Sequence, residues 1–317
     1  MAVGLKQRIT GLLQAAALVT AVFSIATLAG HLHRYLELFS HFRLQYLVVA
    51  GGLGLLLLAL NSRRWAALML VVAAINVVPV YPWYVAEAQA SVPGGTPLRL
   101  LSFNIYAGND DTAALIDLVT SEEPDIVFLQ EVTPRHGREL AGLREGLDYS
   151  LNIPRDDTFG IAVLSRLPFE SARVIQSPPH DFPTLVVEVL VDGTPVTFVT
   201  THPTPPLGES GFESRNEQLA SIADLLRGIE GPRVLIGDLN TTIWGNHYDR
   251  LVEDTGLIDA RFGFGVQPTW PTSLPFAMIP IDHCLVSPEF TVLDVRTGPD
   301  IGSDHRPLLV DLALSEG

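Results

Sequence analysis

Cysteine is nearly absent. The 317-residue chain carries one, Cys284, so no disulfide can form within it. Cys284 lies in the apolar run His283-Cys284-Leu285-Val286 and reads as a buried structural thiol rather than a nucleophile. Positive charge is also scarce: 20 Lys and Arg face 35 Asp and Glu, a formal net charge of −15. So acidic a chain repels polyanions at long range, which counts against nucleic acid as a partner. The deficit is uneven. Residues 1–90 hold six basic and two acidic side chains, a formal +4, which leaves −19 for residues 91–317. Asp, Glu, Lys and Arg are missing altogether from three stretches, 9–30, 44–60 and 65–85.

Those three stretches read as membrane-spanning helices. A span needs roughly 20 mostly apolar residues, about 17 at the short end. The first and third meet this easily, the second only just. Trp65, Tyr81, Trp83 and Tyr84 stand near segment ends, where aromatic rings favour the bilayer interface. Three apolar runs with no polar face are a poor fit to buried helices of a water-soluble domain. The first run also exceeds the roughly 7 to 15 residues of a signal-peptide core. Residues 1–86 are thus expected to form a three-helix anchor. Lys6 and Arg8 precede the first span, and Arg63-Arg64 fill the second loop, while no Lys or Arg follows the third span until Arg99. The positive-inside rule then puts the amino terminus in the cytoplasm and everything beyond the third span outside the cytoplasmic membrane.

Residues 87–97, rich in Ala, Pro and Gly, read as a linker. From residue 98 to 317, strand-like and helix-like runs alternate. Strands are expected at 98–103, 126–129, 160–164, 185–190, 196–200, 234–236, 284–286 and 308–312, with a hairpin turn at Asp192-Gly193. Residues 112–122 and 217–226 carry apolar side chains at helical spacing. Mixed strands with helices between them point to two sheets packed face to face with helices outside.

Five polar fragments stand at or just after these apolar runs: Ser102-Phe103-Asn104-Ile105, Leu129-Gln130-Glu131-Val132, Thr201-His202-Pro203, Gly237-Asp238-Leu239-Asn240 and Ser303-Asp304-His305-Arg306-Pro307. Each alone fits a turn or a cap. Together they supply carboxylates for a hard metal ion and imidazoles for proton transfer, the equipment of a metal-dependent phosphoester hydrolase.

In this order, and with Gly160-Ile161-Ala162-Val163-Leu164-Ser165 and Ile281-Asp282-His283, the fragments resemble the endonuclease/exonuclease/phosphatase superfamily of DNase I-like nucleases, inositol-polyphosphate phosphatases and neutral sphingomyelinases. The resemblance covers residues 98 to 314. It implies an α+β fold, a four-layer α/β/β/α sandwich with its active site at one edge, here preceded by three transmembrane α-helices. It implies that Glu131 is the main metal carboxylate, with Asn104 as a second, neutral oxygen ligand and Asp304 as a further ligand or a support for the site. Mg²⁺, with Mn²⁺ as a substitute, suits so sparse an oxygen set. It further implies that Asp238 orients or deprotonates the attacking water and that Asn240 holds a phosphoryl oxygen. His305 would contact the scissile phosphate, with Asp282 as its carboxylate partner, and His202 would be the second histidine. Arg215 and Gln218 match a family tendency, with Arg215 either structural or facing phosphate.

Thr158 stands where family members that cut abasic DNA carry Tyr, and no basic DNA-gripping insertion is evident. Three spans before such a domain resemble the teicoplanin-resistance-associated membrane hydrolases, which act on the lipid pyrophosphate carrier of cell-wall synthesis. The substrate expected on that basis is a lipid phosphate or pyrophosphate at the membrane surface. The competing readings are an extracytoplasmic nuclease for DNA or RNA and an inactive membrane-tethered binding or sensor domain.

Overall fold

The computed structural model describes residues 2–85, 96–144 and 146–315. The chain divides into two compact units: residues 1–85 with the short segment 244–246, and the remainder.

The first unit is helical. Helix α1 (Ala2–Ala26) runs into a 3₁₀ segment (Thr27–Leu32), followed by α2 (Arg34–Ser40), α3 (Arg43–Ala59), α4 (Arg63–Val80) and the short α5 (Pro82–Val85). Its interior is built from small or slender residues, Ala17, Ala21, Ala50, Leu57, Met69 and Val72. Leu12, Leu18, Leu55, Leu70 and Val78 are instead more than half exposed. Asn76 is buried, and its amide donates to Ser24 Oγ (2.5 Å) and to the Val72 carbonyl (2.8 Å). Small residues at the contacts, a polar pair inside and large apolar side chains outside form the pattern of helices packed in lipid.

Two helices, Gly4–Leu32 and Arg63–Val80, are long and apolar enough to cross a membrane. A third span exists only if α2 and α3, bent by 63° at their junction, count as one. The expected boundaries shift accordingly. The second run is a helix of 17 residues that the bend separates from α2. The third is broken at Tyr81, where Pro79 and Pro82 remove two backbone donors and end α4 early. Residues 87–95 of the expected linker lie outside the described residues, and Thr96 and Pro97 already belong to the first strand.

The second unit is a two-sheet sandwich. In the first sheet the order is β11-β12-β1-β2-β4-β3. Its strands are β1 (Thr96–Asn104), β2 (Ile126–Gln130), β3 (Tyr149–Ile153), β4 (Ile161–Ser165), β11 (Phe290–Thr297) and β12 (Leu308–Leu314). In the second the order is β5-β6-β7-β8-β10-β9. Its strands are β5 (Phe169–Ser177), β6 (Phe182–Val191), β7 (Thr194–Thr200), β8 (Arg233–Asp238), β9 (Ile258–Asp259) and β10 (Asp282–Val286). Each sheet has one parallel junction, β1 with β2 and β7 with β8, and is otherwise antiparallel.

Alternation along the strands makes the core. Leu98 and Leu100 of β1 point between the sheets with Phe128, Val163, Val187, Phe198, Ile236 and Cys284. Leu101 and Phe103 point to the outer face and pack with Leu115, Leu118 and Val119 of α6 (Ala113–Glu122). Burial raises the Cys284 thiol pKa, which makes it an inert packing group. Three more helices complete the unit: α7 (Pro134–Glu139), α8 (Gly208–Arg227) and α9 (Asn246–Thr255).

The topology gathers the polar fragments at one edge. Parallel pairing brings the carboxyl ends of β1 and β2 together, and likewise those of β7 and β8. Strands β12 and β10 run antiparallel to these neighbours, so the same edge receives their amino-terminal ends.

Candidate active site

Asn104 closes β1 and Glu131 directly follows β2. The Asn104 amide donates to Glu131 Oε1 and to Asp238 Oδ2, each at 3.1 Å, which joins the two sheets. Glu131 Oε2 accepts from the Ala107 N–H at 2.8 Å, and Asn104 Oδ1 accepts from Tyr106 N–H at 3.1 Å. Tyr106, Glu131 and Asn240 all have left-handed backbones, φ of 60°, 60° and 50°. Non-glycine residues in this region are uncommon and collect where a site over-determines the chain. Gly237, φ 146°, lets β8 approach the β7 end: a Cβ there would stand 2.4 Å from the Thr201 carbonyl.

Asp238 is the centre. It closes β8 and lies directly across the β8–β10 ladder from Asp282. Its Oδ1 accepts from Asn240 N–H at 2.9 Å, and its Oδ2 faces His202 Nε2 (3.4 Å) and His305 Nε2 (3.7 Å). Both imidazoles are anchored through the opposite nitrogen. His202 Nδ1 donates to the Thr158 carbonyl at 3.1 Å, and His305 Nδ1 donates to Asp282 Oδ2 at 2.8 Å. These anchors turn both Nε2 atoms to the same point.

The electrostatics follow from this crowding. Burial opposes ionisation of Asp238, but the His305 charge, the His202 hydrogen bond and charge, and the Asn240 N–H outweigh it and lower its pKa. Burial works against charge on His305 as well. The charges of Asp282 and Asp238, the Asp282 hydrogen bond and the charge of Asp304 overcome it and raise the pKa to about 9. For His202, too, burial is outweighed, by the Asp238 hydrogen bond and the charges of Asp238 and Glu131, and the pKa rises. At neutral pH the site therefore holds an ionised Asp238 beside a protonated His305, with His202 shifted toward its charged form.

The remaining expected residues fall into place by contact. Asn240 Nδ2 donates to the Pro203 carbonyl at 2.9 Å. Arg215 is buried, and its Nη1 donates to the Asn240 carbonyl at 3.1 Å, so it secures the loop that carries Asn240. Gln218 Oε1 accepts from Thr204 N–H at 2.8 Å and steadies the loop after His202. Asp304 is not joined by a hydrogen bond to Asn104 or Glu131 among the described residues. Its Oδ2 accepts from Trp270 Nε1 at 3.0 Å, and its Oδ1 is buried with no hydrogen-bond partner among them.

Other contributors stand within or near the same fragments, where the sequence assigns them no role. Ser303 Oγ donates to the Asn104 carbonyl (2.7 Å) and accepts from His305 N–H (3.0 Å), which pins the β12 approach to the β1 end. Behind β10, buried Arg261 donates from Nη1 to His283 Nδ1 (3.1 Å), and His283 Nε2 donates to the Thr241 carbonyl (2.8 Å). His283 Nδ1 also lies 3.4 Å from Asp259 Oδ2, so the ring is held on both sides beside the backbone next to Asn240.

Two donor sets fit a cation. Glu131 and Asn104 offer oxygen only, as a hard ion such as Mg²⁺ prefers. Asp238, Asp282 and His305 place ligand atoms within 4.8 Å of one another and add a nitrogen, which extends the fit to transition metals. Asp282 Oδ1 is buried with no hydrogen-bond partner among the described residues, an oxygen with capacity to spare.

The match to a family model spans residues 101–305, from β1 to His305, with the description endonuclease/exonuclease/phosphatase family. The chain belongs to this family. Family enzymes hydrolyse phosphoester bonds and depend on divalent metal, and the buried Asp-Asp-His group is consistent with both. Solved structures share the fold. A family protein from Beutenbergia cavernae is 23% identical with TM-score 0.55, over 69% of this chain and 72% of its own. One from Bacteroides vulgatus is 21% identical with TM-score 0.55, over 69% of this chain and 100% of its own. D. rerio TDP2, solved with a single-strand DNA product, is 19% identical with TM-score 0.58, over 68% of this chain and 99% of its own. No curated protein matches the chain.

Proposed function

We propose that the protein is a membrane-anchored, extracytoplasmic, Mg²⁺-dependent hydrolase of a lipid-linked phosphate or pyrophosphate. One observation carries the reading: helices long and apolar enough to cross a membrane share a chain with a phosphoester-hydrolase site. Tethering keeps a site among lipid headgroups at high effective concentration. The basic residues before the first helix and between α3 and α4 support placing the catalytic unit outside.

In this reading Glu131 and Asn104 hold the ion, with Asp304 supporting the site from the His305 side. The ion supplies charge to the phosphoryl oxygens. Asp238, ionised and fixed by Asn240 N–H, accepts a hydrogen bond from the attacking water and aligns it. Asn240 donates to a phosphoryl oxygen once its amide leaves the Pro203 carbonyl. His202 donates from Nε2 to the same phosphate. His305, kept protonated by Asp282, gives its Nε2 proton to the leaving oxygen.

A second reading has its own support. Phe159 and Phe182 stack with ring centroids 3.5 Å apart, Phe159 lies 5.6 Å from the His202 ring, and the Arg155 guanidinium sits 5.7 Å from Phe182. Such a half-exposed aromatic wall can stack a nucleobase, as in a nuclease. The two readings separate by rate. The full chain in detergent, at one Mg²⁺ concentration, is given a long-chain lipid pyrophosphate, single-stranded DNA and duplex DNA. A higher kcat/KM on the lipid supports the first reading, and a higher value on either DNA replaces it with the second. A phosphatase reporter fused after Gly95 should be active if the catalytic unit lies outside, and silence there would overturn the orientation.

A further inference from the structure

Nearly every large apolar side chain of the catalytic unit is covered. Two exceptions stand out: Leu207 and Phe276 are each 79% exposed, more than any other large apolar residue of that unit. Both sit on loops that leave the site. Leu207 follows His202 by five residues, at the tip of Pro203-Thr204-Pro205-Pro206-Leu207-Gly208. Phe276 tops the loop between Trp270 and Pro280, where Leu274 is also exposed, at 48%. The base of that loop is fixed to the His305 approach. Trp270 Nε1 donates to Asp304 Oδ2, Thr272 N–H to the Asp304 carbonyl (2.9 Å) and Thr272 Oγ1 to the Ser303 carbonyl (2.9 Å). A third apolar tip, Tyr106 at 43% exposure, lies two residues from Asn104.

The charge pattern points the same way. Residues 203–208 and 270–280 contain no Asp, Glu, Lys or Arg, although residues 91–317 carry a formal −19. A surface meant for water alone has no reason to clear charge from the two loops that flank its reacting groups and to display Leu and Phe there. Both tips are also held from below. Thr204 bonds to Gln218 and Ser214 of α8, and the second loop is closed by pairing of Trp270 with Ile279. The side chains are therefore presented by a fixed support.

We infer that the Leu207 and Phe276 loops form a lipid-facing rim that dips into the bilayer interface around the active-site mouth. The occupant follows from the rest of the chain. Thr96 is eleven residues beyond Val85, so even a fully extended chain holds the first strand within about 40 Å of the last helix. A bilayer around the helices is thus within reach, and uncharged loops with large apolar tips enter it without desolvating a charge. The inference rests on the membrane-anchored reading above and adds to it the surface through which a lipid headgroup reaches Asp238 and His305.

The test uses the full chain reconstituted in phosphatidylcholine–phosphatidylglycerol vesicles. Leu207→Trp and Phe276→Trp are compared with Leu190→Trp, which lies beside the Asp192-Gly193 turn at the opposite end of β6. The added emission of the first two, relative to the unsubstituted protein, should fall by at least half with lipids brominated on the acyl chains, and that of Leu190→Trp should not. Equal quenching at all three positions, or none, overturns the rim. In a second arm, Leu207→Ser/Phe276→Ser should hydrolyse a water-soluble phosphodiester at the unsubstituted rate and a long-chain lipid phosphate in vesicles about tenfold more slowly. An equal rate on both substrates also overturns it. Quenching at 207 and 276 in a protein that hydrolyses DNA but no lipid would retain the rim and remove the lipid substrate. Lipid hydrolysis without quenching would do the reverse.

Discussion

The helical unit and the sandwich use the same residue types in opposite ways. Inside the helical unit stand Ala17, Ala21 and Ala50, while Leu12, Leu55 and Leu70 lie open. Inside the sandwich stand Phe128, Phe198 and a wall of Leu, Ile and Val, while most charges lie outside. In water, removing large apolar groups from solvent drives packing. In hydrocarbon that drive vanishes, and close backbone approach and interhelical polar pairs take over; if the helical unit lies in a membrane, Asn76 and Ser24 would be such a pair. The lesson is that exposure of Leu has no meaning until the surrounding medium is named.

The comparison breaks most visibly at the active site, which depends on neither kind of packing. His305→Ala and Asp238→Asn should each lower kcat by about 10²–10⁴-fold, measured at one Mg²⁺ concentration on protein shown to be folded. A loss under about threefold at either position would remove it from the chemistry. The pH dependence should follow the raised pKa of His305. In chelator, its contribution to stability is full below about pH 6.5 and is lost as pH rises through about 9. A Tm profile of His305→Gln should lack that alkaline loss, and an unchanged profile would contradict the assignment.

Core packing comes next. Phe128→Ala removes a side chain sealed between the sheets and should cost about 3–5 kcal/mol in denaturant unfolding of the catalytic unit. The sharpest contrast uses one substitution in both units. Leu70→Arg, on the open face of α4, should impair membrane integration at a cost of about 2.5–3.5 kcal/mol if that face meets lipid. Leu190→Arg, on the open face of β6, should change stability by no more than about 0.5 kcal/mol. Equal effects at the two positions would mean that both surfaces face water.

The legible parts of the fold are its interior. Strands β1, β2, β4, β6, β7, β8, β10 and β12 are visible as apolar runs because most residues of each are buried. The four unread strands, β3, β5, β9 and β11, are the four sheet edges. Phe169–Ser177 shows the reason: Glu170, Ser171, Ala172 and Arg173 are exposed in succession, so no alternation survives. Helix α8 begins nine residues before its apolar period does, since its first turns are polar. At the site, Asn104, Glu131, His202, Asp238, Asn240, Asp282 and His305 are linked by short polar contacts. The Thr158 and Thr241 carbonyls that orient imidazoles have no side-chain identity to read. The resemblance makes Asp304 a further metal ligand or a support for the site; its Oδ2 accepts a hydrogen bond from Trp270, a partner 34 residues away that no spacing in the sequence announces.

The pairing of β1 with β12 joins the first strand of the sandwich to the last, with Leu98 opposite Leu312. A ribosome makes these strands at the two ends of a long wait. Until β12 emerges, β1 has β2 on one side and an open ladder on the other, and His305, three residues before β12, has not reached Asp282. The His305–Asp282 contact therefore forms only after residue 305 has been made. A product that stops before β12 leaves β1 with a bare strand edge, the kind of surface that chaperones and proteases meet.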